Sequence, residues 1–296
     1  MSYAAYEPTI AVARYRPAVW RLILGVVTVV VLMFLWFGAL VLISMRLMDA
    51  ASVDELLRLA VLETHLPKSV ILNLFLIAGL APCTFIAAAL WHRRRPGSLF
   101  GPGAKTLRHF AIATGLSLTA MVLIQVIGLV FLGTPSLNLD LIGWISWLPV
   151  ALFAILVQTG AEEVLFRGYL QSHLAARFKS RMWWLVLPSI LFAALHFSPE
   201  YSSVVAIYAL LATFAFGIMA ADLTARTGSL GAAWGFHFAN NTLAILLISS
   251  QSTLSGLALF KSPFDLESLT SFSPLLFLDL LAIVFVWWLI RRVLAT

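Results

Sequence analysis

Apolar residues run along this chain in long, nearly unbroken blocks, separated by short polar segments rich in arginine. A membrane-crossing helix needs about 20 mostly apolar residues in a row. Eight stretches fit that description: Leu22–Ser44, Val70–Trp91, Phe110–Leu132, Ile142–Tyr169, Trp183–Phe197, Val204–Leu223, Leu230–Ser249 and Pro274–Ile290. The first is too long for the core of a signal peptide, and no small-residue cleavage site follows it closely, so it reads as a retained helix. The fifth is short enough to span only part of a bilayer. Between the first two lies Met45–Lys68, where Leu56, Leu57, Leu59, Ala60, Val61 and Leu62 sit among charges. That pattern predicts a helix lying in the membrane interface. The expectation is an all-α polytopic bundle of about eight transmembrane helices, with residues 1–296 forming a single membrane domain.

Composition agrees. Hydrophobic residues make up 61% of the chain and charged residues 11%, whereas a soluble domain carries about 25% charged residues. Neither a soluble globule nor a disordered chain fits. The net charge of +6 would suggest nucleic acid in a soluble protein. Here the basic residues fall in loops, and their asymmetry sets topology instead. With the N-terminus inside, fifteen of the nineteen Lys and Arg residues face inward and only Arg46, Arg58, Lys68 and Lys261 face out. The positive-inside rule then places both termini in the cytoplasm and predicts no nucleic-acid partner. The lone cysteine, Cys83, lies in an apolar run and reads as a small buried residue. Gly101 and Gly103 flank Pro102 in a basic loop and read as a turn.

Ionisable groups within a membrane helix cost on the order of 2.5–3.5 kcal/mol each on insertion scales, so they are functional candidates. The set is Glu162, Glu163 and Arg167 in the fourth stretch, His196 in the fifth, Asp222 in the sixth, His237 in the seventh and Asp279 in the eighth. Asp222 and Asp279 lie near helix ends and read as structural. His65, His92, His109 and His173 fall in loops or at helix ends and read as solvated surface.

Residues four apart share a helix face. Gln158 therefore lies over Glu162, and Glu163 over Arg167 at the favourable acid-first spacing. Glu163 and Arg167 are expected to pair, leaving Glu162, about 100° around the helix, as an available carboxylate. His237 and Asn241 also share a face, with Asn240 beside it. Each feature alone also suits helix packing: an Asn can glue helices together, and a lone His can bond a neighbouring backbone. By helix rise, Glu162, His196 and His237 all fall in the inner half of the bilayer. Two histidines and a carboxylate meeting there could activate water and stabilise an oxyanion.

Taken together, Glu162-Glu163-x-x-x-Arg167, Phe192-x-x-x-His196 and His237-x-x-x-Asn241 resemble the three motifs of the CPBP family of intramembrane endopeptidases, which includes the type II CAAX prenyl proteases and bacteriocin-immunity relatives. The resemblance covers residues 140–250 or so, the expected catalytic core helices. It implies Glu162 as general base assisted by His196, His237 and Asn241 as oxyanion stabilisers, and Glu163 and Arg167 as orienting residues. It leaves the metal open. Glu162, His196 and His237 would make a catalytic zinc set with one open position, while a metal-free glutamate mechanism uses the same residues. No His-Glu-x-x-His helix is present to decide between them. The implied partner is a membrane-associated peptide or protein. A CAAX-type substrate would bring a prenylated C-terminus from the cytoplasmic leaflet. The location is the inner membrane of a bacterium or the endoplasmic reticulum of a eukaryote. Two other classes compete. A proton- or ion-coupled transporter would use such residues as a relay, but no repeat or paired broken helix is visible. A non-catalytic adaptor of the same fold would be expected to lack a motif residue, and none is lacking.

Overall fold

The computed structural model describes residues 3–61, 65–198, 202–249, 254–263 and 274–294. It is helical almost throughout. A single 3₁₀ turn leads into α1 (Glu7–Ala13), followed by α2 (Val19–Leu47), α3 (Ala50–Val61), α4 (Pro67–Ala78), α5 (Leu80–His92) and α6 (Gly103–Leu132). Next come α7 (Leu141–Glu163), a π-helical stretch Val164–Gln171 and α8 (Ser172–Arg177), which together form one helix from Leu141 to Arg177. A π-helical turn Met182–Val186 opens α9 (Leu187–Ala194). Then α10 (Ser203–Thr227), α11 (Gly231–Thr242) with its π-helical extension Leu243–Leu247, and α12 (Pro274–Leu294) complete the bundle.

All eight apolar stretches are helical. Among the described residues five helices are long and apolar enough to cross a membrane: Val19–Leu47, Pro67–His92, Gly103–Leu129, Leu141–Arg177 and Ser203–Thr227. The fifth stretch forms the shorter apolar helix Met182–Ala194. The chain is an integral membrane protein with an all-α bundle. Its outer surface shows why: Phe34, Leu35, Ile127, Phe153 and Leu281 point outward with more than half of their surface exposed. A soluble protein would aggregate through such a surface, whereas hydrocarbon solvates it.

The segment expected at the membrane interface is helical as α3, burying Val53 while Asp54, Glu55 and Arg58 face out. Leu62 lies outside the described residues. Three two-residue strands close the end of the bundle where α7 begins. Phe260–Lys261 pairs antiparallel with Ser136–Leu137 and parallel with Ile248–Ser249. Asp140 caps α7, its side chain accepting from the Gly143 amide at 2.9 Å.

Two apolar clusters hold the helices. The larger joins Phe166 and Tyr169 of the π-helical stretch to Phe192, Phe216, Phe236 and Ile290. The smaller packs Val70 and Leu74 on Ile155, Leu246 and Leu257. Two glycines allow the close approaches that bring α11 to the centre. A Cβ at Gly160 would lie 2.8 Å from the Trp234 ring, and one at Gly235 would lie 2.9 Å from Thr114 Oγ1 on α6. Trp234 completes the α7–α11 contact by donating to the Leu156 carbonyl at 3.1 Å.

Two sequence expectations about single residues divide. Cys83 is buried, as expected. The four loop and helix-end histidines are not all surface groups: His65 is exposed, but His92, His109 and His173 retain only 2%, 6% and 3% of their surface. The helix ends that carry them are roofed by loops and by the segment before α2. His92 Nδ1 donates to the Arg16 carbonyl at 3.1 Å, and His109 Nδ1 lies 3.0 Å from Ser229 Oγ.

Candidate active site

The carboxylates stand where α7 passes into the π-helical stretch. Such π segments are rare and recur at functional sites. The helix is already buried on most sides there: every residue from Gln158 to Leu174 is inaccessible. Arg167 nonetheless keeps its reach across one turn, and its Nη1 donates to Glu163 Oε1 at 2.8 Å. This is the expected pair, with the two side chains 2% and 0% exposed. Arg167 Nη2 also donates to the Gly217 carbonyl of α10 at 3.4 Å, and the guanidinium carbon lies 4.6 Å from the centre of the Phe192 ring. A charged arginine deep in the bundle thus has a carboxylate, a carbonyl and an aromatic face around it.

His237 reaches the same carboxylate from α11. Its Nδ1 lies 2.8 Å from Glu163 Oε1, and its Nε2 lies 3.5 Å from Glu162 Oε2 without hydrogen-bond geometry. The imidazole therefore sits between the two glutamates. Phe216 and Phe192 flank it, with ring centres 5.1 and 5.8 Å away. Sequence spacing predicted the Glu163–Arg167 pair and the free Glu162. The bridge from Glu163 to His237 joins residues 74 positions apart, and no local pattern announces it.

One turn further on, Asn241 donates from Nδ2 to Gln158 Oε1 at 3.3 Å, and Asn240 donates to Asn241 Oδ1 at 3.4 Å. Gln158 thereby joins the site that Asn241 was expected to serve. The i, i+4 spacing from Gln158 to Glu162 was the signal that put it there.

His196 is placed differently. Helix α9 ends at Ala194, so His196 lies on the turn beyond it and folds back, its Nδ1 donating to the Phe192 carbonyl at 2.8 Å. Its ring stacks near Phe192, with centres 4.6 Å apart. No hydrogen bond or ion pair joins it to Glu162 or His237. The expected meeting of Glu162, His196 and His237 is thus met by two of the three. Among the described residues no three His, Cys, Asp or Glu side chains group as a metal site requires.

The two aspartates set aside as structural have structural partners. Asp222 accepts from Arg226 Nε at 2.8 Å, Tyr3 Oη at 2.8 Å and Trp287 Nε1 at 3.2 Å, fastening α10 to α12 and to the start of the chain. Asp279 accepts from Tyr208 Oη.

Comparison with known proteins falls on this segment. Residues 144–243 match the family of type II CAAX prenyl endopeptidases described as Rce1-like. That interval contains Glu162, Glu163, Arg167, His196, His237 and Asn241. The uncharacterized protein YyaK of Bacillus subtilis (strain 168) is 30% identical over 109 residues, which cover 37% of this chain and 36% of the relative. The chain thus spans about a third of the length of that curated relative. No solved structure matches. Residues 144–243, where every motif residue lies, thus match the family of type II CAAX prenyl endopeptidases described as Rce1-like, and the match supports the CPBP resemblance of the three motifs.

Proposed function

We propose that the protein is an intramembrane endopeptidase in which Glu162 activates water against a peptide bond of a membrane-associated substrate. The observation that carries this reading is the arrangement Arg167–Glu163–His237–Glu162, which ends in a buried carboxylate oxygen without a hydrogen-bond partner.

The proton inventory follows from donor chemistry. Glu163 Oε1 accepts from Arg167, so His237 Nδ1 carries the proton in its contact with that oxygen. In a neutral imidazole Nε2 would then present a lone pair to the Glu162 carboxylate. The proposed reaction uses the imidazolium, whose Nε2–H faces Glu162 without hydrogen-bond geometry and leaves Oε2 free for water. Charge points the same way. Arg167 and Glu163 cancel, and a protonated His237 cancels Glu162.

In the reaction Glu162 takes a proton from water as the oxygen adds to the scissile carbonyl carbon. The oxyanion is received by His237 Nε2–H and the Asn241 amide. Glu162 then passes its proton to the departing amine as the C–N bond breaks. Arg167 and Glu163 do not touch substrate. They hold His237 in one tautomer and one orientation, and Gln158 does the same for Asn241. With both termini placed in the cytoplasm by the charge asymmetry of the loops, Glu162 and His237 fall in the inner half of the bilayer. A C-terminal CAAX-type peptide, entering from that leaflet, is the substrate class favoured by the Rce1-like match.

A zinc ion on Glu162, His196 and His237 does not fit the present placement. His237 Nε2 and Glu162 Oε2 are spaced as two ligands of one ion would be, but the third is not in place: His196 Nδ1 is engaged by the Phe192 carbonyl, and no three such side chains group among the described residues. No step is routed through a metal here.

The test is cleavage of a membrane-peptide library, including prenylated and unprenylated C-terminal CAAX peptides, by purified wild type and Glu162→Gln, with metal content assayed on the same samples. Glutamine keeps the shape and removes the base. Cleavage by wild type alone supports the reading, and the preferred peptides name the substrate class. Equal cleavage by both proteins, or none by either while both stay folded, sinks it. Zinc bound stoichiometrically to wild type and lost from His196→Ala would replace the metal-free scheme.

A further inference from the structure

The buried amide of Gln171 belongs to none of the three motifs. Gln171 closes the π-helical stretch and is wholly inaccessible. Its neighbours Leu170 and Leu174 belong to the larger apolar cluster. An amide at this position bears a cost of leaving water that a leucine or methionine would avoid. Half of that cost is left uncompensated, because Oε1 is buried with no hydrogen-bond partner. The donor half is used: Nε2 gives a hydrogen bond to the Ala221 carbonyl of α10 at 2.9 Å.

That bond repeats, one turn further on, a bond made by Arg167. Arg167 Nη2 donates to the Gly217 carbonyl at 3.4 Å, so the two donors are four residues apart on one helix and the two acceptors four apart on the other. A helix carbonyl keeps a second lone pair after accepting its own amide, so each can take a side-chain donor as well. The winding of the helix helps to align the two rungs. In an α-helix four residues overshoot a full turn by about 40°, which would set Gln171 about 80° around from Glu163. The π-helical stretch Val164–Gln171 fits more residues into each turn. Glu163, Arg167 and Gln171 therefore stay nearer to one line, and the last two reach α10.

The rungs differ in length and duty. The Gln171 rung is short and joins two backbones through one amide. The Arg167 rung is long, and the same guanidinium holds Glu163 Oε1 at 2.8 Å, the oxygen that lies 2.8 Å from His237 Nδ1. We infer that Gln171 is a positioning residue for the proposed reaction: it fixes the register of α10 against the carboxylate helix, which keeps the Gly217 carbonyl within reach of Arg167 and the Arg167–Glu163–His237 chain in one geometry. Its catalytic consequence rests on the protease reading. Without the Gln171 bond, α10 can shift along the carboxylate helix. Arg167 then follows the Gly217 carbonyl or gives it up, and the oxygen that orients His237 moves with it.

The test compares purified full-length wild type, Gln171→Met, Gln171→Asn and Asp222→Asn in detergent. Methionine keeps the volume and removes the donor. Asparagine keeps the amide and draws it back by one methylene. Asp222→Asn perturbs α10 away from the site and serves as the stability comparator. Melting temperature is measured on each, with kcat and KM on a peptide that wild type cleaves. The ¹⁵N signal of His237 Nδ1 is followed in histidine-labelled protein, assigned with His237→Gln. Both Gln171 variants are expected to lose at least about tenfold in kcat, on the way to the 10²-fold that a 1 Å misplacement can cost, with KM unchanged. The Nδ1 signal should shift or split in both, and Asp222→Asn should change neither quantity. Wild-type kcat in the folded Gln171 variants, an unmoved Nδ1 signal, or an equal loss of kcat in Asp222→Asn overturns the inference. A rise in KM at constant kcat also overturns it, since Gln171 would then serve binding. If Gln171→Met fails to fold, Gln171→Asn carries the test alone; if neither folds, Gln171 is structural and the inference falls. If wild type cleaves no peptide, the protease reading fails by itself, and the Nδ1 signal still decides whether Gln171 positions His237.

Discussion

The helix from Leu141 to Arg177 takes part in two buried polar clusters, one with its charges balanced and one without. At its middle, two carboxylates share one arginine and one histidine, and every charge has a counter-charge within 3.5 Å. Near its end, Arg94 is buried among hydroxyls, a carbonyl and an imidazole with no acid in contact. Both are costly in a low-dielectric interior. The first offsets that cost internally, at the expense of one carboxylate oxygen left free for chemistry. The second has no counter-charge among the described residues and spends the donors of Arg94 on neutral acceptors. A polar cluster that is balanced but holds one unpartnered acceptor suits proton transfer.

The largest expected effect is at the balanced cluster. Glu162→Gln should lower cleavage by at least the 10²–10⁴-fold typical of lost acid–base catalysis while leaving the melting temperature within a few degrees of wild type. Removing a partner instead of the base should show the reverse. Arg167→Ala leaves Glu163 buried and half-paired, and breaking a buried pair typically costs about 3–5 kcal/mol. That variant should lose stability and activity together, visible as a lower melting temperature and less protein extracted in folded form. If Arg167→Ala proved as stable as wild type, the internal balance described above would be wrong.

Asn241→Ala should cost about 10²–10³ in kcat if its amide receives the oxyanion, with KM little changed. Gln158→Ala, acting through Asn241, should cost less, on the order of tenfold in the same assay. A larger loss in Gln158→Ala than in Asn241→Ala would reverse the roles. The smallest effect is expected at Asp222, where Asp222→Asn keeps one acceptor oxygen for Trp287 and loses the charge and one of the two acceptors that face Arg226 and Tyr3. Stability should fall by about 1 kcal/mol, with cleavage per folded molecule unchanged.

Much of this was readable along the chain. Long apolar blocks and scarce charges determine an all-α membrane bundle, because only helices satisfy their backbone inside lipid without partners. Spacing of four on a helix determines the Glu163–Arg167 pair and separates Glu162 from it, since both facts depend on local geometry alone. Tertiary structure decided the rest. His237 bridges the two glutamates because Gly160 and Gly235 let α11 approach α7 and α6, a contact between distant segments. His196 bonds back to the Phe192 carbonyl because α9 stops two residues before it, and where an apolar helix ends is not set by its periodicity. His92 and His173 look like surface groups in sequence, since they follow or precede charged loops. They are buried because the segment before α2 folds back over those helix ends, and burial of a helix terminus depends on what lies across it rather than on its own residues.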